Sequence, residues 1–367
     1  MLFPTAPDYF LRTMISAAME TPHLLYALLA IACSHHGRLV KDSTPKPKMT
    51  CLKYTNLAIS NLRETIKSQD QSLKAETVTT AMVLCTNDVC NGNMQAWRTH
   101  LRGVLRLLAA RLEHQKDFDA TEEPFIWALT KWFKTMDIIA ALSGFDGVCI
   151  HDPGNGPLDK SPSTENVYID DICGYSLVLI PLLARVSELV RLQSLRHVPS
   201  GIDSSNGPSL ETMVEIGALE TKILSLSDKI APSGTEEKDK HLAIELKSTH
   251  LAFVHTALLH LHRRVQLLPT HHSKVRLDIE NILDALNNIQ PSSPANILIL
   301  WPIFSAGCET TIVTERDMIQ ERMTKMQGLG MGNFTRAREL LQRFWESESN
   351  LPWDIYFAQH GLELVLF

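Results

Sequence analysis

Apolar residues recur at helical spacing along almost the whole chain. Trp97, Leu101, Val104, Leu105 and Leu108 fall at i, i+4, i+7, i+8 and i+11, one face of a helix. Leu242, Leu246, Phe253, Val254, Ala257, Leu258 and Leu261 make a second stripe. Ile279, Ile282, Leu283, Leu286 and Ile289 make a third, and Ala337, Leu340, Leu341, Phe344 and Trp345 a fourth. The same reading predicts helices over about 7–20, 22–39, 48–68, 73–90, 123–143, 172–193, 209–229 and 306–326. No run alternates with period two, and no Asn-Gly turn joins β-branched segments. One-sided stripes in this number are buried by packing helix on helix. The expected fold is all-α: a single large multi-helix domain of packed antiparallel helices over residues 1–367.

Breaks fall where Pro, Gly, Ser and charge gather. The clearest is the loop at 151–171, opened by His151, Asp152, Pro153 and Gly154, and it is where the domain would sub-divide. Shorter breaks lie near 113–123, 199–209, 231–240 and 290–296. No fixed-period repeat is present.

Composition narrows the function classes. A chain of 367 residues with 44% hydrophobic content has ample material for a large core. Lys and Arg number 35 against 41 Asp and Glu, a net charge of −6, so the chain has no field with which to grip DNA or an anionic membrane. No direct nucleic-acid binding and no membrane association are expected. The 7 cysteines are scattered without a CxxC pair, which points to reduced thiols inside a cell and away from a disulfide scaffold or a Cys-rich zinc module. No basic leader followed by an apolar run opens the chain, so no signal peptide is expected. The apolar stretch Leu24 to Cys33 is half of the roughly 20 residues a membrane span needs.

Several segments, in order along the chain, together resemble one family. They are Leu24 to Cys33, a small-residue helix; Tyr54 to Arg63, with Tyr54, Ala58, Ile59, Leu62 and Arg63 at the positions of a Tyr-x-x-x-Ala-Ile-x-x-Leu-Arg pattern; and Glu76 to Arg111, in which Trp97, His100, Leu101 and Gly103 match a Trp-x-x-His-Leu-x-Gly pattern. Asp137 lies on the helix after that one. The most specific segment is Trp301 to Glu309, followed by Arg316 and a last helix ending at Trp345. From about residue 10 onward the chain resembles the regulatory domain of fungal-specific transcription factors, the helical region that follows a zinc binuclear cluster. Members usually begin with six tightly spaced cysteines that bind two zinc ions. No such array occurs in these residues, and no DNA-binding domain is detected. Three readings follow: the chain acts through a partner, the scaffold has another use, or the gene model has lost its first exon.

Candidate chemistry is sparse. Trp97 and His100 share a helix face, suiting either a ligand-pocket wall with an imidazole donor or a packing anchor. Trp301 before Pro302 reads as a buried anchor at a helix start, and as a weaker ligand-binding candidate. If a titratable group is catalytic, it is His100 or Asp137. Gly307 would let two helices approach closely, and Glu309 and Arg316 read as a polar brace. His250, His255, His260 and His262 lie on one predicted helix, but their spacing does not gather them at one point, and no HExxH occurs. No metal and no cofactor are expected. The acids at Asp170 and Asp171, and the Asn87, Asp88, Asn91 and Gln95 outline, are incomplete versions of the magnesium motifs of class I terpene cyclases. Gly328, Gly330 and Gly332 mimic a phosphate loop but follow a helix, which makes them an interhelical turn with Asn333 or Thr335 capping the next helix.

The resemblance implies a transcription regulator lacking its own DNA-binding module. Such a chain would work in the nucleus through a protein partner, a DNA-binding regulator or itself, with a small-molecule effector, on secondary-metabolite genes. The alternative is a cofactor-free cyclase or isomerase in the cytoplasm, working by positioning and polarisation. A large closed apolar pocket holding Trp97, His100 or Asp137 would favour the enzyme; packed, solid helices with an exposed apolar groove would favour the partner-binding reading.

Overall fold

A computed structural model describes residues 8–92, 96–114, 123–144, 168–170, 172–196, 208–228, 240–349 and 351–367. Among the described residues there are fifteen α-helices and no strand, so the fold is all-α. Two compact units divide the chain: Met1–Asp137 with Ile150–Lys160 and Gln327–Arg336, and Ile138–Cys149 with Ser161–Met326 and Ala337–Phe367. The 151–171 loop lies outside the described residues apart from 168–170.

In the first unit the helices are α1 (Asp8–Glu20), α2 (Pro22–Leu39), α3 (Lys46–Thr65), the single turn α4 (Gln69–Ser72), α5 (Ala75–Cys90), α6 (Trp97–His114) and, up to Asp137, α7 (Pro124–Ser143). Its core helix is α5, where every residue from Thr77 to Cys85 is buried. A helix buried on all sides must deal with its polar side chains, and Thr79 and Thr80 donate back to the carbonyls of Ala75 and Glu76 at 2.7 Å each. α2 opens with Pro22 in its first turn, where a missing N–H costs nothing. It packs on α3 and α5, while α6 packs on α5. The stripe read from α6 is the buried one: Trp97, Leu101, Val104 and Leu108 are all inside. Burying each such leucine contributes about 2 kcal/mol.

The second unit holds α8 (Leu179–Arg196), α9 (Leu210–Asp228), α10 (Lys240–His260), a π-helical turn (Leu261–Val265), α11 (Ser273–Asn287), α12 (Leu300–Glu309), α13 (Val313–Gln327), α14 (Gly332–Glu346) from Ala337 onward, and α15 (Trp353–Gln359). α10 is the hub, packed against α8, α9, α11 and α12. Where α12 meets α14, a Cβ on Gly307 would lie 2.7 Å from Leu341 Cδ2, so the glycine is what lets the two helices close.

Three helix boundaries differ from the sequence reading. The helix predicted from 172 starts at Leu179, because the Asp170 carboxylate accepts the backbone N–H groups of Ile172 (2.9 Å) and Cys173 (3.0 Å) and holds them in a turn. The helix predicted over 306–326 is two, α12 and α13. Thr310 is extended between them, and its hydroxyl oxygen accepts the Ile312 N–H at 3.2 Å while donating to Glu315. Finally, α10 does not end cleanly but widens into the π turn, marked by the Gln266 N–H bonding five residues back to Leu261 O at 2.9 Å.

The six described cysteines are free, and burial pushes the Cys90 thiol up to about 11, so it packs as a neutral group. No single described helix is long and apolar enough to cross a membrane; α1 and α2 reach that length together only across a 119° bend.

Candidate functional site

A cleft of about 950 Å³ opens in the first unit among α2, α3, α5 and the start of α6. Its wall carries a polar row beside apolar side chains, among them Pro47, Leu52, Ile59 and Ala96. Arg38 and Ser34 come from α2, Cys51 and Thr55 from α3, Asn87 and Asp88 from α5, and His100 from α6, with the exposed Lys41, Asp42 and Lys48 at the rim. Arg38 is the brace of this wall. Its Nε donates to Gly330 O at 2.5 Å, and its Nη1 donates to Ser34 Oγ at 2.7 Å and Asn91 Oδ1 at 2.6 Å. Asn91 passes the chain on, Nδ2 donating to Asn87 Oδ1 at 3.1 Å. Burial holds the Arg38 guanidinium below its ordinary range, the expected direction for a cation partly removed from water.

His100 sits at one end of this wall, with Nε2 3.5 Å from Asp88 Oδ2. Both are partly shielded, so imidazole and carboxylate form a polar pair facing a cavity. Trp97, one turn earlier, is fully buried: its carbonyl accepts the Cys85 thiol at 3.3 Å and the Arg98 guanidinium lies 4.4 Å over its ring. Trp97 is therefore a packing anchor under the cleft and not part of its lining. Asp137 is buried on α7 and is likewise not among the lining residues. The structure thus separates two side chains that share a helix face in sequence and gives only His100 to the cavity. Asn87 and Asn91, read from sequence as incomplete magnesium ligands, are bonded to each other. The turn at Gly328–Gly332 joins α13 to α14 as expected, but Asn333 and Thr335 lie inside the first turn of α14, past the capping position.

Trp301 belongs to the second unit, fully buried, with His260 5.1 Å and Phe253 5.3 Å from its ring. Around it the π turn gathers charge that spacing alone does not reveal. His262 Nδ1 meets Asp278 Oδ2 at 2.6 Å, and His255 Nδ1 lies 3.7 Å from Asp278 Oδ1. Two histidines seven residues apart converge on one carboxylate of α11. Arg263 Nε pairs with Glu309 at 2.5 Å and Arg264 Nη2 with Asp354 at 2.6 Å. Glu309 is braced by Arg263 and not by Arg316, whose guanidinium donates to Thr310 O at 3.1 Å and stacks on Trp345. His250 is satisfied on both sides: Nδ1 accepts the Ser176 N–H at 3.3 Å and Nε2 donates to Leu226 O at 3.1 Å. Among the described residues no group of three His, Cys, Asp or Glu side chains has the geometry to hold a metal ion.

A family model described as fungal specific transcription factor domain matches residues 1–367. The chain belongs to this family. No curated protein and no solved structure matches it. In this fungal specific transcription factor domain the segments that carry the resemblance are core-forming ones. Leu24, Ala27, Ala30 and Ile31 on α2, Trp97 and Leu101 on α6, and Trp301 to Glu309 on α12 are all buried. The segment 54–63 on α3 is the exception, with Ala58 alone buried, and of the cleft wall Thr55, Asn87, Asp88 and His100 fall within the resembling segments while Ser34, Arg38 and Cys51 fall outside them.

Proposed function

We propose that this chain controls transcription through a protein partner that reads DNA, acting in the nucleus on genes of secondary metabolism. Membership of the fungal specific transcription factor domain family over the whole 367 residues carries the regulator reading. The partner route is supported by a net charge of −6 and by the lack of a six-cysteine array in these residues. The cleft carrying His100 and Asp88 is the place proposed for a small-molecule effector. The enzyme alternative asks for a large closed apolar pocket holding Trp97, His100 or Asp137; the cleft holds His100 but opens to solvent at a charged rim.

Deleting the gene and profiling transcripts and metabolites together tests this. Loss of a coherent set of transcripts supports the regulator reading. Unchanged transcripts with one accumulating intermediate would replace it with the enzyme.

A further inference from the structure

α9 has two apolar faces, and the fold uses one. Ile216, Leu219, Ile223 and Leu226 are buried. On the opposite side Leu210, Val214, Gly217, Thr221 and Leu224 follow one another at steps of four, three, four and three residues, the heptad step of a helix–helix seam. This second face is open: Leu210 is 84% exposed, Val214 69%, and Leu224 43%. In its middle, a Cβ built on Gly217 would meet nothing within 4 Å, so no neighbour among the described residues requires the glycine. Glycine inside a helix costs about 1 kcal/mol relative to alanine.

We propose that this face pairs with the same face of a second copy of the chain, antiparallel, about a two-fold axis passing Gly217. The spacing is symmetric about that residue. Leu210 and Leu224 each lie seven residues from it, so the two-fold sets Leu210 of one copy against Leu224 of the other at both ends. Gly217 meets itself at the crossing, where a missing side chain brings the helices closest. Charge fits the same operator. At about 100° per residue, Glu211 and Lys222 project to the same flank of the seam. The antiparallel arrangement brings Glu211 of each copy beside Lys222 of the other. Of the other acids, Glu215 pairs with Arg185 at 2.5 Å and Glu220 with Lys274 at 2.6 Å, and Asp228 lies at the helix end beyond the seam. An isologous contact of this kind closes at two copies. One face of a five-turn helix makes a small interface, of the size found in weak, reversible association.

This inference goes beyond the partner reading, since a second copy is a contact additional to the DNA-reading partner. A strictly monomeric protein would sink it and leave the transcript test of the regulator reading untouched. The experiment is sedimentation velocity on the full chain over about 2–200 µM, spanning the affinity of a small interface. A monomer–dimer equilibrium is expected. Val214→Asp abolishes it with the helical circular dichroism unchanged. Glu211→Lys weakens it about tenfold, and Glu211→Lys with Lys222→Glu restores it. Cross-linking fixes the orientation, with the unsubstituted chain as control: Gly217→Cys joins to itself, and Leu210→Cys joins to Leu224→Cys when the two variants are mixed. A monomer at every concentration, a dimer indifferent to both Val214→Asp and Glu211→Lys, or Leu210→Cys joining to itself in preference to Leu224→Cys would each overturn the proposal.

Discussion

Arg264 Nη1 donates to His260 Nδ1 at 3.0 Å, one turn along the same helix. A guanidinium only donates, so the imidazole must accept and is neutral, leaving its Nε2–H for Ser305 Oγ at 3.1 Å. Burial and the Arg264 charge hold the His260 pKa well below its ordinary 6.5. Burial lowers His23 and His250 in the same direction. For a histidine lowered in this way the unfolded chain binds more protons than the folded one below pH 6.5, so stability falls as pH drops through that value. The thermal midpoint should decline from pH 7 to pH 5, more gently in His260→Gln, where an amide can still accept and donate. A flat profile would contradict the assignment.

The Arg264 and Asp354 pair is buried on both sides, each side chain 3% exposed. Arg264 also donates to Leu142 O at 2.8 Å and lies 4.8 Å over the Trp353 ring. Removing one partner of such a pair strands the other charge. Asp354→Ala should therefore cost about 3–5 kcal/mol in urea unfolding, and Asp354→Asn, which keeps an acceptor for the guanidinium, clearly less.

At Gly307 the argument is steric. Alanine there drives a methyl against Leu341 and should cost about 1–3 kcal/mol. Adding Leu341→Ala makes room, so the double variant should be more stable than the sum of the two single losses. Simple additivity would show that the helices do not meet as described.

In the cleft, the partly exposed His100 and Asp88 pair is expected to contribute little, so His100→Ala should change stability by less than about 1 kcal/mol. Arg38→Ala removes three hydrogen bonds, one of them the hold on Gly330 O. Hydrogen exchange should then quicken at the Gly330 amide, whose own bond to Gln327 O is 3.0 Å.

The helices were legible because a stripe such as Trp97, Leu101, Val104 and Leu108 is a local signal that burial respects. Less of the site was. His100 could be singled out from its place beside Trp97, yet Ser34, Arg38, Asn87 and Asn91 join it from helices far apart in sequence, and nothing in their spacing marks them as one wall. The break at Thr310 was missed because it turns on a side-chain bond to Glu315 rather than on Pro or Gly. The spacing of His255 and His262 shows that they do not gather at one metal point, but not that both reach the Asp278 carboxylate from another helix.

The π turn has a consequence for how this gene can change. It is equivalent to one residue inserted into α10, and its three consecutive residues His262, Arg263 and Arg264 each reach a different helix, α11, α12 and α15. A substitution breaks one of these ties at a time. Deleting the codon for Leu261 would shift all three by one position, about 100° around the helix, and strand Asp278, Glu309 and Asp354 together. Indels should therefore be purged here far more strictly than missense changes, and a lineage that had lost the extra residue would need new partners on all three helices at once.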